Sequence, residues 1–98
     1  MKKIENVNEV KKGDIVLVKE IVPQWDAEQE IFYDYCFEYC IEVVKNNPKT
    51  LGCKHINGPH KGSGFNWQKG FDVTQIMNKK YFLLEPADSV MENQYRVK

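Results

Sequence analysis

The sequence predicts a mainly-β fold of about five strands, with one short helical turn before the last of them. Three observations carry this. Positions 31–44 alternate between apolar or aromatic and polar residues with a period of two, the repeat of a half-buried strand. Gly13-Asp14 is turn chemistry and is followed directly by the β-branched run Ile15-Val16-Leu17-Val18. Breakers then recur along the chain, at Pro23, Asn46-Asn47-Pro48, the glycines between Gly58 and Gly70, and Pro86. A length of 98 residues fits one domain, 1–98, and 42% hydrophobic with 29% charged residues speaks against disorder. A chain of this size buries only about two thirds of its unfolded surface, so the core is modest.

Residues 1–12 read as a lead-in, in which Val7 and Val10 allow either a turn of helix or an extended approach. The folded body is expected over 13–86. Its first strand starts at Ile15 and is expected to end by Pro23, which has no N–H for a ladder, leaving 24–27 as a connecting loop. In the next segment, Ile31, Tyr33, Tyr35, Phe37, Tyr39, Ile41 and Val43 occupy the odd positions, predicted to face inward. The even positions carry Asp34, Glu38 and Glu42 with Phe32, Cys36 and Cys40 between them. Those acids also fit a helical stripe at i, i+4, i+8, but such a helix would need burial almost all round, and its aromatic and β-branched composition favours a strand. A strand of this length is expected to contain a bend or bulge. Asn46 to Lys49 form a turn and Thr50 to Ile56 a third strand. Asn57 to Gly70, with four glycines, Pro59, Phe65 and Trp67, reads as loop. Asp72 is an N-cap for one or two helical turns within 72–78. Tyr81 to Glu85 is a strand stopped by Pro86, and 87–98 is a tail or a short helix opened at Ser89.

Composition restricts function as well as fold. No apolar run approaches the roughly 18 residues of a membrane span, and no signal-peptide core follows Met1-Lys2-Lys3, so a soluble, cytoplasmic protein is expected. Of the 14 basic residues, 13 are lysines and one is Arg96. Lysine is a hydrated point charge, whereas arginine supplies the planar fork that reads guanine edges, which argues against a sequence-specific nucleic-acid reader. The formal net charge is zero but segregated: residues 20–44 carry seven acids and no lysine or arginine, while 54–80 carry five lysines and one acid. Either the two segments neutralise each other in the fold, or the acidic one steers a basic partner. The Lys, Asn and Ile enrichment has the character of an AT-rich genome, bacterial or phage.

Lys12-Gly13-Asp14-Ile15-Val16-Leu17-Val18 resembles the first strand of SH3-like small β-barrels, including KOW-type domains and PemK/MazF-type toxins, and Tyr81-Phe82-Leu83-Leu84-Glu85 is loosely similar to their final strand. The resemblance implies a single SH3-like barrel of about five strands with a helical turn before the last. Through the toxins it would also imply an endoribonuclease that relies on an arginine early in the fold. Here the sole arginine is Arg96, so the fold analogy carries over and the activity does not.

Four constellations could carry chemistry. Cys36, Cys40, Cys53, His55 and His60 invite a zinc reading, yet Cys36 and Cys40 on one strand would stand roughly 13 Å apart. Shared ligands must each approach the metal to about 2.3 Å, so no metal and no cofactor are expected. A Cys53–His60 nucleophile pair has no orienting third group in the sequence, and no catalytic residues are assigned. The loop with Lys54, His55, His60, Lys61, Phe65, Trp67 and Lys69 combines backbone donors, charge and aromatic faces suited to a nucleotide or nucleic acid, such as a sequestered signalling nucleotide. Finally, Glu28, Glu30, Asp34, Glu38 and Glu42, with Trp25 as an anchor, could dock on a basic surface of a larger protein. In size and charge pattern the chain resembles phage-encoded inhibitors of bacterial defence such as anti-CRISPR proteins. The first expectation is therefore a non-enzymatic binding protein or inhibitor using the acidic strand face. The alternative is a nucleotide or nucleic-acid binder using the glycine-rich loop.

Overall fold

The computed structural model describes residues 1–97. Seven strands form one antiparallel sheet: β1 (Lys2–Ile4), β2 (Ile15–Asp26), β3 (Ile31–Asn46), β4 (Thr50–His55), β5 (Gly64–Gln68), β6 (Lys79–Leu83) and β7 (Asn93–Arg96). Their order is β1-β6-β2-β3-β4-β5, and β7 pairs separately with β3. Short 3-10 turns at Val7–Glu9 and Val73–Gln75 are capped by Asn6 and Asp72, whose side chains accept from Asn8 N and Thr74 N.

Period-two patterning explains which side chains meet. Val16 and Val18 of β2, Tyr39, Ile41 and Val43 of β3, Leu51 and Cys53 of β4, Trp67 of β5 and Tyr81 of β6 all turn to one face and form the core with Ile4, Val7, Val10 and Val73. The sheet is not closed by a continuous ladder, but it curls. Val7 N donates to Phe71 O (2.9 Å) and Val73 N to Glu5 O (3.0 Å), tying the lead-in to the segment after β5. Across the core, the rings of Trp67 and Tyr81 lie 5.2 Å apart.

Several expectations need correction. β2 does not end at Pro23 but continues through Trp25 to Asp26. Ile21 N donates to Asn78 O at 2.8 Å, so Pro23, two residues on, faces the same edge. There β6 has already stopped, its last pair with β2 being Glu20 with Lys79, and the missing N–H costs no ladder bond. The span 57–70 is not all loop, because Gly64–Gln68 is β5 and pairs with β4. The Phe65-x-Trp67 alternation is the strand signal that the surrounding glycines obscure. Among the described residues the tail forms no final helix. Asn93–Arg96 adds as β7 to the free edge of β3 at Tyr35–Glu38, and Lys98 lies outside the described residues.

β3 spans 16 residues, with the expected irregularity at its end, a register shift between Val43 and Lys45. Its even face is not uniformly outward. Cys36 and Cys40 are buried, as is Leu17, the cross-strand partner of Cys40. The link from β6 to β7 crosses β2 and β3 on this side: Met91 O accepts from Cys40 Sγ (3.3 Å) and from Asn57 Nδ2 (3.1 Å). The start of that link is held by the Met1 ammonium, 3.0 Å from Asp88.

Candidate functional site

β2 and β3 outlast their neighbours. β6 leaves β2 after Glu20, β4 leaves β3 after Ile41, and β7 accompanies β3 only along 35–38. Beyond these points the hairpin projects as a two-stranded arm, part of a molecule 49 × 27 × 24 Å in extent. Its tip turns over Ala27–Glu30. Asp26 Oδ1 accepts from Glu28 N (3.0 Å) and Gln29 N (3.1 Å), and Glu30 takes the left-handed φ of 54° that closes the turn.

The two faces of the arm differ. On one, the cross-strand neighbours Trp25 and Phe32 pack edge to face with ring centroids 4.9 Å apart. They remain 53% and 73% exposed, which is unusual for side chains this large and makes them the most accessible aromatic pair on the protein. On the other, Tyr33, Tyr35 and Phe37 form a ladder with centroid spacings of 6.4 and 5.2 Å. The Arg96 guanidinium lies over Tyr33 at 4.3 Å and 3.9 Å from the Asp26 carboxylate. Arg96 thus offsets one acid of the tip, while Glu28, Glu30 and Asp34 stay exposed around Trp25 and Phe32.

The expected five-acid row is therefore cut in two. Trp25, Glu28, Glu30 and Asp34 come together at the tip; Glu38 and Glu42 do not join them. Glu38 is only 8% exposed, in the stretch of β3 that pairs with β7, where it stands opposite Asn93. The Cys36 thiol opposite Tyr95, and then the Glu38 carboxylate, push the Tyr95 hydroxyl above its ordinary pKa. Glu42 is half-buried and sits opposite Lys54 of β4 in the ladder. The period-two pattern was right about the shared face but had no information on the strand that covers it.

The glycine-rich set is dispersed as well. Trp67 is a core residue at 7% exposure and offers no free face for stacking, with Phe65 packed edge-on against it at 5.7 Å. Lys69 lies at the far end of β5, where its N–H donates to Lys49 O. Only Lys54, His55, His60 and Lys61 remain near the β4–β5 turn. His55 stacks between Tyr39 (5.5 Å) and Phe65 (5.4 Å), with His60 at 5.7 Å. Burial, then the His60 and Lys79 charges, hold its pKa below the usual imidazole value, against a weaker pull from Glu20, and its Nδ1 is buried without a partner. Glu20 is engaged by the Tyr39 hydroxyl, which donates to it at 2.8 Å, and by Lys79 Nζ at 3.8 Å.

Cys36 and Cys40 share one face of β3, whereas Cys53 points into the core on the other, where burial raises its thiol pKa to about 11. Among the described residues no group of three His, Cys, Asp or Glu side chains converges. No helix among them is long and apolar enough to cross a membrane. Sequence reasoning missed the role of Arg96 and placed Tyr33 and Tyr35 in the interior, whereas both are only half-buried; the alternation of Tyr95 and Val97 is the one signal that the tail is extended. No protein-family model, curated protein or solved structure matches the chain.

Proposed function

We propose that this chain is a non-enzymatic binding protein that acts by occupying a basic surface of a larger protein with the β2–β3 arm. The observation that carries the reading is the exposed Trp25–Phe32 pair, set among Glu28, Glu30 and Asp34 with no lysine in the arm. Large aromatics held rigidly by a hairpin make low-entropy anchors, and surrounding carboxylates favour approach to a positive patch and disfavour a negative one. The body, in which β2 to β5 follow one another and a 3-10 turn precedes β6 before it returns to β2, supports an SH3-like small barrel as the scaffold. On this reading the protein is an inhibitor, in the manner of the phage anti-defence proteins that it resembles in size and charge pattern.

The test compares capture from lysate of the cells in which the chain acts, using the native chain, a Trp25→Ala/Phe32→Ala variant and a Glu28→Lys/Glu30→Lys/Asp34→Lys variant. A partner with a basic surface, held by the native chain and lost by both variants, is the expected result. Equal capture by all three would sink the proposal. Charge reversal at Glu38 is unsuitable here, because a lysine under β7 would disturb folding.

A further inference from the structure

The end of the molecule opposite the arm carries the inverse charge. β3 alone, at about 3.3 Å per residue, runs roughly 50 Å from the acidic tip to Asn46, and the long axis of the protein is 49 Å. At its far end a groove of about 290 Å³ opens between the lead-in and the β3–β4 turn. Its floor is Val7, Val10 and Leu51, and its rim is Lys11, Lys12 and Lys69 with the amides Asn8 and Asn46. Lys69 Nζ donates to Asn46 Oδ1, which holds it at the rim with two further N–H donors available. Lys49, exposed in the adjoining turn, adds a fourth cation. Among the described residues none of these four lysines lies within ion-pair distance of a carboxylate. The nearby acids are turned to backbone donors instead of to these lysines: Asp14 accepts from Lys11 N, and Glu9 from Glu5 N and Asn6 N.

We infer that this groove binds the phosphate backbone of duplex nucleic acid. Unpaired lysines on one rim suit phosphates as point charges, without the arginine forks that read bases. The lining holds no aromatic side chain, so it provides no stacking platform for an unpaired base. A duplex, with its bases stacked inside, presents only what this rim can hold. The acidic tip does not oppose the contact, since tens of ångströms separate the two ends and the screening length at physiological salt is about 8 Å. Lys69 is the sole member of this rim that the glycine-rich loop would also have used.

Fluorescence anisotropy with a labelled 20-base-pair duplex and the corresponding single strand tests the inference on the full chain. Binding of the duplex at low salt is expected, weakening with a log–log salt slope of about −0.9 for each phosphate contacted. Lys11→Gln/Lys12→Gln/Lys69→Gln should lose at least about tenfold in affinity and flatten that slope by about one unit for each phosphate contact removed. Trp25→Ala/Phe32→Ala should bind the duplex as the native chain does, which separates this site from the arm. Absence of duplex binding at low salt, tighter binding of the single strand, or equal binding by the lysine variant would each overturn it. So would salt-sensitive self-association abolished by the same lysine variant, which would assign the groove to the acidic arm of a second copy.

Discussion

The same strand, β3, behaves as two different materials along its length. From Tyr39 to Val43 its odd side chains are buried against β2, β4 and the lead-in, and its even face is crossed by the link to β7. From Ile31 to Tyr35 the alternation and composition are almost unchanged, yet most side chains stay in solvent. The difference lies in what stands over the strand. In the body each face has a second layer; in the arm the hairpin is covered only by the Arg96 side chain over Tyr33. Alternation therefore encodes two faces, and the number of layers decides whether a face becomes core or contact surface.

The sharpest way to break this comparison is to truncate one tryptophan from each region. Trp67→Ala should cost about 3–5 kcal/mol in denaturant unfolding, because it removes a packed core aromatic. Trp25→Ala should change stability by no more than about 0.5 kcal/mol while removing partner binding. Similar losses for both would erase the distinction between body and arm.

Glycines at the β4–β5 turn sharpen it next. A methyl group at Gly58 would stand 2.6 Å from Tyr39 Cβ on a backbone with φ of +84°, so Gly58→Ala should destabilise by about 1–3 kcal/mol. At Gly62 the φ is also positive but nothing lies within 4 Å. Gly62→Ala should therefore cost only the backbone strain, about 1 kcal/mol.

The covering of the second face can be read from thiol reactivity. All three cysteines are buried, and the native chain should react slowly with a thiol-specific reagent. Ending the chain at Asp88 removes Met91 and β7, and should make Cys36 and Cys40 reactive while Cys53 stays protected in the core. Unchanged protection after truncation would mean that the tail is not what covers them.

The smallest effect concerns pH. His55 has a folded pKa below its unfolded value, so between the two the unfolded chain binds more protons and stability rises with pH. Melting temperature should fall modestly as pH drops below about 6.5, and His55→Gln should flatten that dependence. A slope that persists in the variant would place the effect on other groups.

Much of the architecture was legible in local pattern. The run from Ile31 to Val44, the β-branched stretch after Asp14, the Asp72 cap and the strand at Tyr81 each report steric preferences of a few adjacent residues. The errors have a common origin. The cost of Pro23 depends on whether a neighbouring strand faces its nitrogen, which local sequence does not report. Flanking glycines dominate the local pattern around Trp67 and hide the five-residue strand that carries it. The period of two exposes Glu38, whose actual neighbours come from residues more than 50 positions later. The site shows the same division: Trp25, Glu28, Glu30 and Asp34 adjoin in sequence and meet at the tip, whereas Lys11, Lys12 and Lys69 come together only through the curl of the sheet.

Backbone extension, turn positions and the two-sided character of β3 were determined by the sequence itself, because they follow from φ/ψ preferences and a side-chain period that neighbouring residues share. The tertiary structure alone decided which half of that strand received a second layer, which acids were paired or buried, and which lysines converged. Those outcomes depend on contacts between segments distant in the chain, and no local repeat encodes which segment will lie over which face.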